Sequence, residues 1–285
     1  MSKFVILGGD RRSAYLAARA AAEGEDAAAV GFEQLGLPNV PRAGVTALTT
    51  AERVILPVPV TVDQYSVSAP YADMTYPLEA VFQAIPKDAL VFGGRLEPSV
   101  LAAAKRQGVR LFDYGEREDF MIANAIPTAE GTLELAMRET ESTIRGSETL
   151  VLGFGRVARA VAALFHAAGA RVRTAARRAS DLASIAALGY EAVDIRALHG
   201  KLSGCGILVN TAPAPIMTAE LLAELPKSCV VIDLASRPGG VDHTAAKQLG
   251  LKCVWALSLP GKVAPKAAGD AIWNTVRTML REVEA

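Results

Sequence analysis

Residues 148–178, ETLVLGFGRVARAVAALFHAAGARVRTAARR, decide the fold. An apolar run enters a glycine turn, an alanine-rich amphipathic stretch follows, and a second apolar run ends in two arginines. This order predicts strand, turn, helix and strand, as in a dinucleotide-binding unit. Gly153 permits the tight turn, Gly155 allows the backbone to approach a pyrophosphate, and Ala158 allows close packing of helix on strand. The candidate pyrophosphate-binding residues at the helix start are Gly153, Phe154, Gly155, Arg156 and Val157.

The end of the second strand indicates which cofactor binds. Enzymes that use NAD usually place an acidic residue there to hold the ribose 2′-hydroxyl. This chain has Arg177, Arg178 and Ser180 instead, and the first acid is Asp181. Guanidinium groups bind phosphate oxygens in pairs, so the sequence favours the 2′-phosphate of NADP, with NAD as the alternative. The competing interpretation is two solvated arginines on a surface loop.

Composition excludes several classes of protein. The 285 residues carry 30 basic and 30 acidic side chains and are 51% hydrophobic, which is typical of a globular protein with neither nucleic acid nor a membrane as partner. The first residues predict a strand rather than a signal peptide. Cys205, Cys229 and Cys253 lie 24 residues apart, each at the start of an apolar run, and predict core packing at the amino edge of neighbouring strands. A cytoplasmic location fits these cysteines, and no metal motif is present.

The pattern along the chain predicts two Rossmann-like, doubly wound parallel-sheet domains with a cleft between them, an arrangement that resembles the D-2-hydroxyacid dehydrogenase plan. An N-terminal substrate domain of flavodoxin-like type spans residues 1–125, and an NADP-binding domain spans 126–265. A last helix is expected to pack on the first domain. The domain division assigns it residues 266–285, and its sequence pattern begins at Pro265. A connecting helix is expected to begin at Pro127. Residues 61–76 have no clear period and suggest a mobile flap.

Candidate site residues gather where strands and connecting segments are expected to meet the cleft. Arg237 follows the fifth strand of the second domain and could clamp a carboxylate, or could pair with Asp242. Lys262 and Lys266 lie in a cationic loop and could bind a second carboxylate or supply a proton, or could be solvated. Glu130, expected in the first turn of its helix, is the candidate general base, or could simply stabilise the helix dipole. The nicotinamide half of the cofactor would pass Thr211, Ala212, Pro213, Leu234 and Ala235, and the candidate substrate-binding residues are Arg12, Asn124, Thr128, Ser236 and Arg237.

Residues 210–242 resemble the cofactor domain of D-2-hydroxyacid dehydrogenases, and Arg237 matches their substrate-binding arginine. Those enzymes also use a histidine near the end of this domain as acid and base. Here no histidine follows His243, and the expected place holds LPGKVAPK. The reaction between hydroxyacid and ketoacid therefore lacks its proton carrier, which disfavours that activity.

Four stretches together resemble the family of dehydrogenase-like A subunits of dipicolinate synthase, from spore-forming bacteria: GGDRR, EREDFMIANAIPTAEGT, DLASRPGG and LPGKVAPKAAG. The resemblance implies an NAD(P)-dependent oxidoreductase that acts on CH–CH groups during sporulation. It would oxidise a dihydrodipicolinate, derived from the lysine pathway, to pyridine-2,6-dicarboxylate. The resemblance also implies a flavoprotein-like partner, the B subunit of dipicolinate synthase, with assembly as a homodimer or a larger complex. Two anionic carboxylates would need cationic anchors, for which Arg12, Arg237, Lys262 and Lys266 are candidates.

Two other classes of function stay open on the sequence. One is a different NADP-dependent small-molecule dehydrogenase, of the D-2-hydroxyacid, opine or folate type. The other is a non-catalytic scaffold that binds nucleotide and activates its partner, because no acid or base stands out unambiguously among the residues.

Overall fold

The computed structural model describes residues 3–236 and 238–285, which form two compact units. The first unit comprises Met1–Asn124 and Ala264–Ala285, and the second comprises Ala125–Val263. Each unit contains one parallel sheet with helices on both faces. Two doubly wound parallel sheets are the fold class that the sequence predicts.

The sheet of the first unit has the strand order β2-β1-β3-β4-β5. Its strands are β1 Lys3–Leu7, β2 Asp26–Val30, β3 Arg53–Ile55, β4 Leu90–Gly93 and β5 Arg110–Asp113. Its helices are α1 Arg11–Ala22, α2 Leu78–Ala84, α3 Pro98–Gln107, the start of α4 Glu118–Glu139, and α10 Pro265–Glu284, with a 3-10 helix over Val45–Thr50. This is the flavodoxin-like order, in which the switch point, where the strand order reverses, lies between β1 and β3.

Both faces of this sheet are buried. Val5 and Leu7 of β1 belong to one apolar core, whereas Phe4 and Ile6 belong to the other. Alternate residues of a strand point to opposite faces, so the continuous apolar run of β1 serves two helical layers. The second of these cores contains Trp273 of α10, whose ring meets that of Phe4 edge-on at 5.2 Å between centroids.

The irregular segment 61–76 is fastened to the carboxyl end of β1. The carbonyl of Ser68 accepts a hydrogen bond from the amide of Gly9 at 2.6 Å, and the Ser68 amide donates to Val60. Val60 and Val67 are buried, and the amide of Val67 donates to Tyr76 at 2.9 Å. The segment therefore fills the switch point of the first sheet, and it is not the free flap that its composition suggests.

The sheet of the second unit has the order β11-β10-β9-β6-β7-β8. Its strands are β6 Glu148–Leu152, β7 Arg171–Ala176, β8 Glu191–Asp194, β9 Ile207–Asn210, β10 Val230–Asp233 and β11 Lys252–Trp255. Its helices are the remainder of α4, α5 Arg156–Ala167, α6 Ala179–Ala187, α7 Ala219–Ala223, α8 His243–Gln248 and α9 Leu259–Val263. This is the order of a Rossmann sheet, with its switch point between β6 and β9.

The three cysteines lie where the sequence predicts, at the amino edge of β9, β10 and β11. Cys205 and Cys229 are fully buried. Burial raises the pKa of the Cys253 thiol to about 12, which keeps it protonated at neutral pH. All three therefore serve as small core side chains.

Two local predictions are wrong. Pro127 does not begin a helix but lies inside the 22-residue α4, so Glu130 is in the middle of that helix and gains no support from its amino end. Residues 259–269 are not a loop, because 259–263 form α9 and α10 starts at Pro265. The α9 turn is buried at Leu259, Pro260 and Gly261.

Candidate functional site

The glycine turn after β6 has the geometry that a pyrophosphate site requires. Gly153 has φ +103°, and a Cβ there would lie 2.5 Å from the hydroxyl of Thr211. Gly155, the residue before α5, has an ordinary extended conformation, and a Cβ built on it meets nothing within 4 Å. The first glycine thus closes the turn, whereas the second faces open space beside the first amides of a 12-residue helix. A phosphate group is stabilised at such a helix start.

Phe154 lies in this turn, but its side chain serves the fold. Its ring packs with Ala176 and Ile185, and the Arg159 guanidinium lies 4.4 Å from the ring centroid. The Arg159 Nε also donates to the Phe154 carbonyl at 3.2 Å. The side chain of Phe154 is therefore engaged within the protein, and only its backbone is available to a ligand.

The predicted 2′-phosphate site lies at the carboxyl end of β7. Arg177 and Arg178 are exposed, and Ser180 lies in the first turn of α6. Arg178 donates to Asp181, with 2.9 Å between Nε and Oδ2, and this contact raises the pKa of the guanidinium. Within residues 3–236 and 238–285, Arg177 has no ion pair. The end of β7 thus offers one exposed guanidinium and one held by a neighbouring acid.

A buried polar network, absent from the sequence predictions, joins the carboxyl ends of β9 and β10. Asn210 and Asp233 are the last residues of these strands, lie opposite each other in the register and are fully buried. The Asn210 Nδ2 donates to Asp233 at 2.8 Å and to the carbonyl of Ala212 at 3.0 Å. The Thr211 hydroxyl donates to the carbonyl of Leu152 at 2.8 Å. These bonds fix the start of the 211–213 segment, which the sequence assigns to the nicotinamide half of the cofactor.

Asp233 also holds the segment that follows β10. Its carboxylate accepts from the amides of Ala235 and Gly240 at 3.1 and 3.2 Å, and it bonds His243 Nε2 at 3.1 Å. The His243 ring stacks on Trp255 at 4.7 Å, and its Nδ1 lies 3.5 Å from the thiol of Cys253. Both ring nitrogens are therefore engaged within the unit. The one signal of this network in the sequence is an Asn and an Asp that end two successive apolar runs.

The predicted substrate anchors fall in different parts of the structure. Ser236 is exposed beside Ala235, and Arg237 lies outside the described residues. Glu130 and Lys262 are exposed residues of the second unit, whereas Lys266 is exposed in the first turn of α10 in the first unit. Asn124 ends the first segment of the first unit, and the carbonyl of Thr128 accepts a bond from Thr132 at 2.7 Å.

Arg12 and Leu234 complete the predicted set. Arg12 is buried, with its Nε 2.9 Å from Asp10 and its Nη2 donating to the carbonyl of Val58 at 2.8 Å. Asp10 also accepts from the amide of Arg12, so a carboxylate of the chain already occupies the start of α1. Leu234 is half-buried against the core beneath α5. The geometry thus gives Arg12 a firm structural partner, and its role toward a substrate stays a prediction.

No three His, Cys, Asp or Glu side chains in residues 3–236 and 238–285 are grouped so that they could hold a metal ion. Over the same residues, no helix combines the length and apolar character needed to span a membrane.

Comparison with known proteins decides the family. Residues 3–115 match the family described as the N-terminal domain of the dipicolinate synthase A subunit. The curated A subunit of dipicolinate synthase from Bacillus subtilis strain 168 is 34% identical over 99% of this chain and 97% of its own length. The chain belongs to the family of dipicolinate synthase A subunits. The crystal structure of a family member from Bacillus halodurans is 34% identical, covers 98% of this chain and 97% of its own, and superposes with a TM-score of 0.89.

The second unit of the present chain also matches a broader class of proteins. Residues 126–248 match the NAD binding domain of D-isomer specific 2-hydroxyacid dehydrogenases. D-lactate dehydrogenase from Escherichia coli is 14% identical, covers 99% of this chain and 97% of its own, and has a TM-score of 0.62, which shows a shared fold alone. The chain therefore carries an NAD-binding domain of Rossmann type and is a dehydrogenase-like member of its family that takes a nicotinamide cofactor.

Proposed function

We propose that this chain catalyses the NADP-dependent oxidation of a dihydrodipicolinate to pyridine-2,6-dicarboxylate. Family membership supports the substrate class, and the observation that carries the chemistry is the glycine turn, with its open space at Gly155 beside the start of α5. A nicotinamide cofactor supplies the acceptor for a hydride. The substrate loses one hydride and one proton, two electrons in all, and its ring becomes aromatic.

In this reaction the chain's own residues would bind the cofactor, orient the substrate and remove a proton from the substrate ring. The amides at the start of α5 and the arginines after β7 hold the phosphates of the cofactor. The 211–213 segment and Leu234–Ala235 border its nicotinamide half. Arg237, Lys262 and Lys266 neutralise carboxylates of the substrate, and Arg12, Asn124, Thr128 and Ser236 complete its site. Glu130, which is exposed, takes the ring proton. Aromatisation drives the reaction, so positioning supplies much of the catalysis.

The end of β7 supports a preference for NADP over NAD. An NAD enzyme usually has an acidic residue here, which holds the ribose 2′-hydroxyl. This chain has Arg177 and Arg178 in that place. Arg177 is exposed and unpaired among the described residues, which suits it to the 2′-phosphate. Asp181 would share Arg178 with that phosphate.

The family name implies a partner. The relative from Bacillus subtilis is named as one lettered subunit of a synthase, so we propose that this chain works with the B subunit, the flavoprotein-like partner that the sequence resemblance implies. The glycine turn of a cofactor site lies within this chain, which supports hydride transfer here rather than in its partner.

The test measures the growth of pyridine absorbance from enzymatically generated dihydrodipicolinate, with NADP and with NAD in parallel. The chain is assayed alone and then with its partner. We expect acceleration above the spontaneous rate by the chain alone and a faster rate with NADP. Acceleration that needs both proteins and persists without nicotinamide cofactor would instead favour a nucleotide-binding scaffold. No acceleration in either case would overturn the proposed substrate.

A further inference from the structure

The carboxylate of Asp233 is fully buried and makes four hydrogen-bond contacts. Its Oδ1 accepts from the Asn210 Nδ2 at 2.8 Å and from the amide of Ala235 at 3.1 Å. Its Oδ2 accepts from the amide of Gly240 at 3.2 Å and lies 3.1 Å from the Nε2 of His243. A buried carboxylate is tolerated where such bonds replace the lost water, and two oxygens offer about four acceptor sites. The four contacts therefore use the whole capacity of this side chain.

The position of the proton on His243 follows from its other neighbour, Cys253. The Cys253 Sγ lies 3.5 Å from the His243 Nδ1. Burial, and after it the charge of Asp233, raises the pKa of this thiol to about 12, so the thiol keeps its proton at neutral pH and can donate it. In the neutral imidazole Nδ1 therefore accepts, and Nε2 carries the proton and donates to Asp233. The thiol thus holds the ring in the tautomer that the carboxylate requires.

Asn210 and Gly240 extend these contacts to the chain that follows β9. The Asn210 Oδ1 accepts from the amide of Ala212 at 3.2 Å, while its Nδ2 donates to the carbonyl of the same residue at 3.0 Å. A Cβ on Gly240 would lie 2.5 Å from the carbonyl oxygen of Ala212 and 2.8 Å from that of Ala214. Through these two residues, Asp233 holds the chain after β9 directly against residues that follow β10.

The residues held in this way are the ones that the proposed function places beside the nicotinamide half of the cofactor. They are 211–213 after β9 and Leu234–Ala235 after β10. The pyrophosphate half is assigned to the glycine turn after β6, which none of the four contacts of the carboxylate reaches. Reacting groups must be held to within about 0.5 Å by side chains that are themselves locked in place. The network around Asp233 provides such support for one half of the cofactor site.

We propose that Asp233, oriented by His243, is a positioning residue for the nicotinamide half of the cofactor and has no part in binding its pyrophosphate. The inference rests on the proposed function for the assignment of the two segments to the nicotinamide. Its own basis is the buried carboxylate, its four contacts and the close packing at Gly240. An asparagine at this position would have the same shape but would turn an amide donor toward one pair of N–H donors.

The test compares two ligands by calorimetric titration of the full chain. NADP carries the nicotinamide ring, whereas 2′-phospho-ADP-ribose is a fragment of it that lacks this ring. In Asp233→Asn we expect the Kd for NADP to rise about tenfold or more over the wild-type value, while the Kd for the fragment changes less than about twofold. A purely structural role would change both affinities by the same factor, because the two ligands share their phosphates and adenosine. A melting curve of each variant verifies that it is folded.

His243 offers a milder change should Asp233→Asn not fold. His243→Phe keeps a flat ring for the stack on Trp255 and removes the donor to Asp233. We expect a smaller rise in the Kd for NADP and no change in the Kd for the fragment. His243→Gln, whose amide can donate to the carboxylate, should restore the wild-type Kd for NADP.

The matched control is Glu224→Gln, in the same unit. Glu224 also bonds a histidine and a backbone amide, with 2.7 Å to the His199 Nδ1 and 2.8 Å to the amide of Gly200, and the change should alter neither Kd. If the wild-type chain binds NADP and the folded variants of Asp233 and His243 change both affinities equally, or change neither, the positioning role is overturned and the proposed function stands. If the wild-type chain does not bind NADP, the proposed cofactor falls, and this inference falls with it.

Discussion

At the scale of single residues, the two glycines of the cofactor turn have different roles. Gly153 is needed by the fold, because its φ is +103° and a Cβ would meet the Thr211 hydroxyl at 2.5 Å. Gly155 is not needed by the fold, because its conformation suits any residue and its Cβ position is open. The open position is what a bound pyrophosphate would occupy.

The same substitution at these two positions should therefore give opposite results. We expect Gly153→Ala to lower the free energy of unfolding by about 1–3 kcal/mol, because it adds left-handed strain and a steric clash. We expect Gly155→Ala to leave the melting temperature unchanged while raising the Kd for NADP about tenfold or more. Thermal denaturation and calorimetric titration measure the two effects. Unchanged NADP binding in a folded Gly155→Ala variant would contradict the assignment of the site.

The sequence predicts this turn because glycine positions are local signals. It does not predict the Asn210–Asp233–His243 network, because pairing between the ends of two strands depends on the register of β9 and β10. Nor does it indicate that Arg95 adopts a left-handed conformation, since that depends on Asp113 from another strand. Local chemistry is visible in the sequence, whereas contacts set by register require the fold.

At the scale of elements, the helices show where tertiary packing overrides local preference. The pattern predicts α10 from Pro265 to Glu284, and the structure has it there. The same reasoning is wrong for α4 and α9, since Pro127 lies within one and Gly261 within the other. A Cβ on Gly131 of α4 would lie 3.1 Å from Leu259 and from Val263 of α9. Close packing of the two helices therefore stabilises turns that their residues alone disfavour.

Attachment of α10 to α1 depends on Glu23. Its carboxylate accepts from Trp273 at 2.8 Å, Arg277 at 2.9 Å and Arg19 at 2.5 Å. The hydrogen bond from Trp273, followed by the one from Arg19, lowers the pKa of this carboxyl. Because the folded state lowers the pKa of Glu23, its ionised carboxylate stabilises the fold fully at pH values above the ordinary glutamate pKa of 4.5. This stabilisation is lost as the pH falls through the lowered pKa of the folded state.

We expect Glu23→Gln to reduce the free energy of unfolding at neutral pH by about 1 kcal/mol, or about 2–4 °C in melting temperature. The difference from the wild-type chain should shrink as the pH is lowered below 4.5. Glu25, two residues away and half-buried outside α1, is the matched control, and Glu25→Gln should change the melting temperature little. A difference between wild type and Glu23→Gln that stays constant down to strongly acidic pH would contradict the role given to the carboxylate.

At the scale of the whole molecule, the two units differ in how widely their domain families are shared among proteins. The second unit matches a domain shared by many dehydrogenases, whereas the first matches the dipicolinate synthase family itself. General hydride chemistry is therefore expected from the second unit, and recognition of the substrate from the first. If this assignment is right, the electrons removed from the substrate must appear in the nicotinamide cofactor. The ratio of NADPH to pyridine formed by the complete synthase is therefore the sharpest test of whether this chain is catalyst or scaffold.

If the hydride passes to a cofactor held at α5, each pyridine ring formed must yield one NADPH. We expect anaerobic mixtures of this chain, its flavoprotein-like partner and dihydrodipicolinate to show pyridine and NADPH absorbance rising in a one-to-one ratio. Gly155→Ala should slow both signals together at limiting NADP, while a surface variant away from the turn, Leu188→Ala, should slow neither. Leu188 is 56% exposed and follows α6. Pyridine formed without NADPH, or formed at the wild-type rate by Gly155→Ala, would assign the oxidation elsewhere and leave this chain the role of a nucleotide-binding scaffold.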